Sequence, residues 1–345
     1  MDKISESQIY KEDIASILSQ NCEWTKLSDK TILITGATGL IGTVLVDMFI
    51  LLNQKYNLNI KLLLLSRHEQ KSIYDFITYV SHDIARPFET EEKIDYIIHA
   101  ASNTHPLQYS SFPIETINTN VLGTMNLVKL AEKNPECRFL LVSSVEIYGD
   151  DTRQFENGFD ENTMGYLDCN NSRSCYNESK RLCETICAAC KTEKNLDYVI
   201  CRMCRSYGPT LKKDDTKALS QFLNNAVNGK DIVLKSKGNQ YYSYIYSADA
   251  ASSIIYLLLN GKNGEAYNVA DSASDITLKD LSELIAEYSA TKVIYDLPSD
   301  IEQKGYSKAI RAILNPQKIK ALGWKPNYDI KSGIKRTLEL LKLKN

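Results

Sequence analysis

The sequence predicts an α/β protein built on a doubly wound parallel sheet, with a smaller α/β lobe toward the C-terminus. Three observations predict it. Apolar, β-branched runs recur at 31–35, 60–65, 96–99, 139–143 and 198–202, as in strands buried on both faces. Helical patterns separate them at about 40–53, 113–133 and 176–194, and strands alternating with helices close into a parallel sheet. A glycine-rich turn, Gly36-Ala-Thr-Gly39-Leu-Ile-Gly42, joins the first strand to the first of these helices.

The remaining elements follow in order. Residues 8–20 read as a short helix within an N-terminal extension, 1–28, and 21–29 lead into the first strand. After Gly208-Pro209 the alternation loosens. A helix at 216–228, a short strand near 232–235 and a mixed segment at 241–258 come next. Helices at 277–289, 315–321 and 330–342 complete the chain.

Bulk properties narrow the function. Hydrophobic residues make up 43% of the 345 and charged residues 24%, an ordinary globular balance. A net charge of -2 gives no reason to expect a nucleic-acid partner. The polar N-terminus lacks a signal peptide's apolar core, and apolar stretches such as 62–65 and 254–259 are far too short to span a bilayer. No membrane partner is expected, and the cytoplasm is the expected compartment. The nine cysteines are then expected to be reduced. Cys187-x-x-Cys190 with Cys201-x-x-Cys204 has the form of a zinc pattern. Cys183, Cys187 and Cys190 also follow the period of one helix face, however, so these cysteines read as small apolar side chains and no metal is expected.

The glycine turn is the first functional signal. Glycines there let the backbone turn sharply and approach a pyrophosphate, while the helix N-terminus offers N–H groups and a positive dipole end. Gly36, Thr38, Gly39, Leu40, Ile41 and Gly42 are therefore expected to hold a dinucleotide on a Rossmann domain. That domain spans 29–204 plus about 243–270, leaving 205–242 and 271–345 as a substrate lobe. The second strand ends Leu65-Ser66-Arg67, without the acidic residue that binds a ribose 2′-OH. Ser66 and Arg67 suit a 2′-phosphate, so within NAD(P) the reading leans to NADP. The competing reading stacks Arg67 on adenine or leaves it solvated.

The second signal is Tyr176-Asn-Glu-Ser-Lys180, which sets a phenol and an ammonium one helical turn apart. A nearby ammonium lowers a phenol's pKa and makes it a general base. Spacing alone proves little, because Tyr288-Ser-Ala-Thr-Lys292 repeats it. Only the first copy follows a strand ending in hydroxyls, Ser143 and Ser144, and precedes another strand.

Taken with Asp83-Ile84, His99-Ala-Ala-Ser102, Asn120-Val-Leu-Gly-Thr124, Ser143-Ser-Val-Glu-Ile-Tyr-Gly149, Tyr207-Gly-Pro209 and Leu322-Gly-Trp324-Lys-Pro326, the chain resembles the extended short-chain dehydrogenases. Within them it resembles the nucleotide-sugar epimerase, dehydratase and decarboxylase group. The resemblance implies that Asp83 and Ile84 sit by the adenine. It implies that Ala100, Ala101, Ser102 and Asn120 line the cofactor path. Ser144 would hold the substrate hydroxyl, Tyr176 would take the proton of a sugar 4-OH, and Lys180 would bind the nicotinamide ribose. It also implies a tightly held cofactor, a nucleotide-diphosphate sugar as substrate, and a homodimer packed through the Tyr176 helix and its neighbour, with the Cys183/Cys187/Cys190 stripe in that helix's buried surface.

Glu146 extends the chemistry beyond oxidation at C4. Family dehydratases and UDP-glucuronate decarboxylases carry Glu at this place, and a carboxylate there acts as a base or positions a proton. Val145 stands where dehydratases have Asp, and the surroundings of Tyr176, including Arg173, look most like the decarboxylases. Arg173, Arg205 and Tyr242 are the expected substrate contacts. Arg205 replaces a usual Asn and Tyr242 a usual Arg that grips the diphosphate, so Arg205 is expected to take over that charge from the other side of the pocket. The reading is oxidation followed by decarboxylation or dehydration. A 4-epimerase, a reductase of small ketones and an NADP-binding redox sensor are the alternatives.

Overall fold

The computed structural model describes residues 3–150, 157–212, 215–296 and 310–344. The first half runs α1 (Lys3–Glu6), α2 (Gln8–Ile17), β1 (Thr31–Thr35), α3 (Leu40–Tyr56), β2 (Lys61–Ser66), β3 (Ile77–Ser81), β4 (Tyr96–His99), α4 (Pro106–Ser111), α5 (Pro113–Glu132), β5 (Arg138–Ser144), α6 (Cys175–Lys194), β6 (Asp197–Met203) and β7 (Arg205–Tyr207). The second half runs α7 (Ala218–Val227), β8 (Ile232–Leu234), β9 (Tyr241–Tyr246), α8 (Ser247–Asn260), β10 (Glu265–Val269), β11 (Asp275–Thr277), α9 (Leu278–Ser289), β12 (Val293–Tyr295), β13 (Arg311–Ala312), α10 (Gln317–Leu322) and α11 (Ile330–Lys344).

The main sheet has seven strands in the order β10-β6-β5-β4-β1-β2-β3. Every pairing is parallel, as the expected doubly wound sheet requires. All five residues of β1 are buried, which explains its run of apolar and β-branched residues. The strand order reverses between β1 and β4, where open sheets of this kind bind ligands at the strands' C-terminal ends. Five strands were legible as apolar runs; β3 and β10 complete the sheet at its two edges. β3 has only Ile77 buried, and β10 carries Glu265 and a buried Asn268, so neither presents an apolar run.

A second sheet is built around β9, which pairs with β11 antiparallel and with β7 and β13 parallel. The segment expected as one mixed unit breaks at Ser247, where β9 becomes α8. Residues 247–259 of α8 are all buried, and a helix buried on every side shows no amphipathic stripe. The N-terminal helices are tied down on this body. Tyr10 donates to Asp47 on α3 at 2.6 Å. Buried Asp13 accepts from the Tyr246 hydroxyl at 2.5 Å and from Arg336 Nε on α11 at 2.6 Å. Cys183, Cys187, Cys201 and Cys204 pack inside as apolar side chains. On α6 the stripe therefore faces this chain's own sheet. Among the described residues, no helix is long and apolar enough to cross a membrane.

Candidate active site

The glycine turn lies at the switch point. Gly36 has φ +77°, and a Cβ there would come within 2.9 Å of the Ala100–Ala101 peptide. A Cβ at Gly42 would overlap the Gly36 carbonyl oxygen. The two glycines thus let α3 begin hard against the exits of β1 and β4. The first-turn N–H groups of α3 have no intrahelical acceptor, and Thr38, Gly39, Leu40 and Ile41 stay exposed or half-buried beside them. This cradle fits the diphosphate of a dinucleotide, with the helix dipole favouring the negative charge.

Behind the cradle, Ala101 N–H donates to Thr35 Oγ1 at 3.1 Å, and Thr35 Oγ1 lies 2.8 Å from His99 Nδ1. The hydroxyl can donate to Nδ1 or accept from it, according to the ring's tautomer. Burial, reinforced by the Lys180 charge, holds His99 down at about 3. Ser102 donates to Asn120 Oδ1 at 2.7 Å, and Asn120 Nδ2 donates to Ser179 at 2.8 Å. Asn120 therefore spends its buried amide bracing α5 against α6.

The expected catalytic side chains converge. Ser144 ends β5 and caps the turn Val145–Tyr148, its Oγ accepting the Glu146 N–H at 3.2 Å. Its hydroxyl hydrogen-bonds to the Tyr176 phenol. Tyr176 and Lys180 are both buried on α6, and Lys180 Nζ donates to the Val142 carbonyl at 2.9 Å. Burial is the largest influence on both. It raises the phenol and lowers the ammonium. The expected lowering of Tyr176 by Lys180 is not found: burial raises the phenol, and what pulls it down is the hydrogen bond to Ser144. The repeated motif is excluded by its geometry: α9 ends at Ser289, Ala290 turns left-handed at φ 54°, and Lys292 lies beyond the helix that carries Tyr288.

Glu146 is clasped from two sides. Asn177 Nδ2 reaches its carbonyl at 2.8 Å and its carboxylate at 3.4 Å, and Arg205 Nη2 lies 3.3 Å from Oε1. The Arg205 guanidinium stacks on Tyr242, its Cζ 3.6 Å from the ring centroid. Tyr109 stacks on Tyr176 at 5.6 Å between centroids, and Arg173 lies 5.7 Å from the Tyr109 ring. Ser144, Glu146, Tyr176, Lys180, Arg173, Arg205 and Tyr242 thus form one cluster at the C-terminal end of β5.

A model of the NAD-dependent epimerase/dehydratase family matches residues 32–270. The chain belongs to that family. UDP-glucuronic acid decarboxylase 6 of Arabidopsis thaliana is 29% identical over 317 residues, covering 89% of this chain and 87% of the relative. UDP-glucuronic acid decarboxylase 1 of Danio rerio is 27% identical, covering 90% and 72%. Among solved structures, dTDP-glucose 4,6-dehydratase from Bacillus anthracis, crystallised with NAD, superposes with a TM-score of 0.74 at 23% identity over 90% of this chain and 96% of that one. UDP-glucose 4-epimerase from Thermotoga maritima, with UDP-glucose, gives 0.76 at 20% identity over 90% and 98%.

In this family member the outlying residues are arranged differently from the cluster. Ser66 is half-buried at the end of β2, where Arg67 is exposed and reaches Glu115 at 3.3 Å. Asp83 is exposed and closes a short turn on Ala85 N–H. Ile84 is buried against Gly123, where a Cβ would meet its Cδ1 at 2.8 Å. Sequence reasoning missed Tyr109, Asn177 and Arg311. Asn177 was visible inside the Tyr176 motif. Tyr109 is 67 positions from the ring it covers (176 − 109) and carries no local signal. Arg311 pairs in register with Tyr241 of β9, and only the second sheet brings it there.

Proposed function

We propose that this chain oxidises the sugar of a nucleotide-diphosphate sugar at C4 with bound NAD(P), then removes CO2 or water at C5/C6. The observation that carries the reading is the Ser144–Tyr176–Lys180 set at the C-terminal end of β5, with Tyr176 and Lys180 buried and Glu146 clasped beside it. On this reading, residues 29–204 with 243–270 bind the cofactor, and 205–242 with 271–345 form the substrate lobe.

Bound NAD(P) supplies a hydride acceptor and a positively charged ring. The residues of the chain do the rest. Ser144 holds the substrate O4 against Tyr176. Burial keeps the phenol protonated in the chain by itself, so Tyr176 becomes a base only when positive charge, with Lys180, gathers around it. A ketone at C4 makes a C6 carboxylate a β-keto acid. The C5–C6 bond then breaks, its electron pair passes to O4, and Tyr176 can return the proton. On this reading Glu146 manages the proton at C5. Decarboxylation is the favoured branch. Val145 is buried and apolar, so it offers no acid to expel water, and the curated relatives are UDP-glucuronic acid decarboxylases.

The cofactor lean stays with NADP, because β2 ends at Ser66 and is followed by Arg67, with no carboxylate at that place. A 2′-phosphate has to win Arg67 from Glu115, an exposed pair worth little. Calorimetry with NAD and NADP decides this, and a clear preference for NAD refutes it. A homodimer through α5 and α6 is supported by their outward apolar side chains Ile114, Ile117, Leu122, Met125 and Leu182.

The test of the reaction is mass spectrometry of UDP-, dTDP-, GDP- and CDP-sugars after incubation with the enzyme and Tyr176→Phe. Loss of CO2 from a uronate, abolished in the variant, supports the reading, and loss of water selects the other branch. An isomer of unchanged mass makes the enzyme an epimerase. No turnover of any sugar overturns the proposal.

A further inference from the structure

Arg205 is held more firmly than it is satisfied. Its face lies on Tyr242 and its Nη2 on Glu146, while Nη1 is buried and has no hydrogen-bond partner among the described residues. A guanidinium carries only donors and cannot shed its proton. A buried donor left without an acceptor is costly, and such a group is commonly completed by a ligand.

Its place identifies the ligand group. Glu146, the ion-pair partner of Arg205, acts electrostatically on Tyr176. Arg205 itself acts on Tyr109, which stacks on Tyr176. Asn177, the neighbour of Tyr176 on α6, holds the same Glu146 carboxylate at 3.4 Å, so one carboxylate joins Arg205 to the helix turn that carries the phenol. With O4 at the phenol, the substituent on the carbon next to C4 is the sugar group nearest this side, whereas the diphosphate leaves from C1 across the ring. Arg311 is engaged elsewhere, 5.3 Å from the ring of Tyr241. Adjacent strand residues point to opposite faces, so the two cations flank β9 from different sides.

We propose that Arg205 is the specificity-determining residue for the C6 carboxylate of a nucleotide-linked hexuronate, taking it on Nη1 while Nη2 stays on Glu146. The inference rests on the nucleotide-sugar reading above and adds the substrate class. A neutral hydroxymethyl accepts one hydrogen bond there but brings no opposite charge to the guanidinium. The Glu146 pair also tempers the grip. A carboxylate held by an unshared guanidinium would resist leaving as neutral CO2.

The test uses cofactor-loaded protein in the Tyr176→Phe background, which blocks turnover. Calorimetry compares UDP-glucuronate, UDP-glucose and UDP, and likewise GDP-mannuronate, GDP-mannose and GDP. The expected result is at least tenfold tighter binding of one uronate than of its neutral sugar. Adding Arg205→Gln should shrink that ratio below threefold, with affinity for the neutral sugar and the bare nucleotide changed by less than threefold. If Arg205→Gln melts early, Arg205→Lys replaces it; a ratio reduced at least threefold supports the proposal and an unchanged ratio overturns it. Equal weakening of uronate and bare nucleotide makes Arg205 a diphosphate contact and overturns the proposal. So does a uronate preference that survives Arg205→Gln. If either of those is found while nucleotide sugars still bind, the nucleotide-sugar reading stands. Binding of none of the six ligands overturns both.

Discussion

Glu184→Ala should destabilise the protein by about 3 kcal/mol through a group that touches no ligand. The Glu184 carboxylate accepts Ser143 Oγ at 2.5 Å and Arg202 Nη2 at 2.7 Å, with Nε at 3.2 Å. The pair is 7% and 12% exposed, so neither charge has much recourse to water. Arg202 Nη1 continues to the Tyr148 hydroxyl and the Glu161 carbonyl, and Tyr148 donates to Asn268 at 2.6 Å. The network ties α6, β5, β6 and β10 together beneath Ser144 and Tyr176. Removing one partner of a buried pair costs roughly 3–5 kcal/mol, and the orphaned Ser143 hydroxyl adds about 1. Arg202 keeps two acceptors, which places the total at the lower end. Urea unfolding followed by circular dichroism reads it as a lower midpoint at unchanged slope. Glu184→Leu with Arg202→Met should recover most of the loss, because an apolar pair of similar volume has no charge to strand. A loss under about 1 kcal/mol for the single variant, or a double variant worse than the single, would refute the reasoning.

Gly42→Ala forces a methyl into the Gly36 carbonyl, so NAD(P) affinity should fall by about 10- to 100-fold, as backbone displacement of this kind costs roughly 1–3 kcal/mol; calorimetric affinity within threefold of wild type contradicts the cradle geometry. His99 is held at about 3, below its ordinary 6.5, so the folded state binds fewer protons than the unfolded chain. Its contribution is complete above about pH 6.5 and erodes by roughly 1.4 kcal/mol per unit as pH falls toward 3. His99→Gln should flatten urea stability between pH 6.5 and 5, and an identical slope for both proteins counts against a neutral buried ring. Asp13→Ala removes the acceptor of Tyr246 and Arg336 and should cost about 2–3 kcal/mol; an unchanged melting temperature would show that the N-terminal helices add nothing to the fold. Leu122→Glu with Leu182→Glu should give a monomer by light scattering if α5 and α6 form the dimer face, and a species of unchanged mass refutes that face.

The central strands were legible because burial on both faces favours apolar and β-branched residues throughout, as in the wholly buried Thr31–Thr35 of β1. Edge strands are under no such demand, so β3 and β10 passed unread. α8 was hidden for the opposite reason, since burial on every side removes the amphipathic period. Tyr176 and Lys180 were readable because helical spacing puts them on one face. The repeat at Tyr288 and Lys292 had the same spacing and failed because its helix ends between them.

By itself the sequence determined the parallel α/β order, the glycine cradle and the Ser–Tyr–Lys set, all products of local periodicity and steric need. Only the tertiary structure decided what surrounds that set. Tyr109, Glu146, Arg205 and Tyr242 come from four separate segments, and nothing local links them. Their convergence follows from the exit of β5 meeting the starts of β7 and β9, with α4 beside them. The protonation of Tyr176 was settled the same way. Sequence spacing promised a nearby ammonium, but desolvation depends on the whole surrounding volume, and in the folded chain desolvation wins.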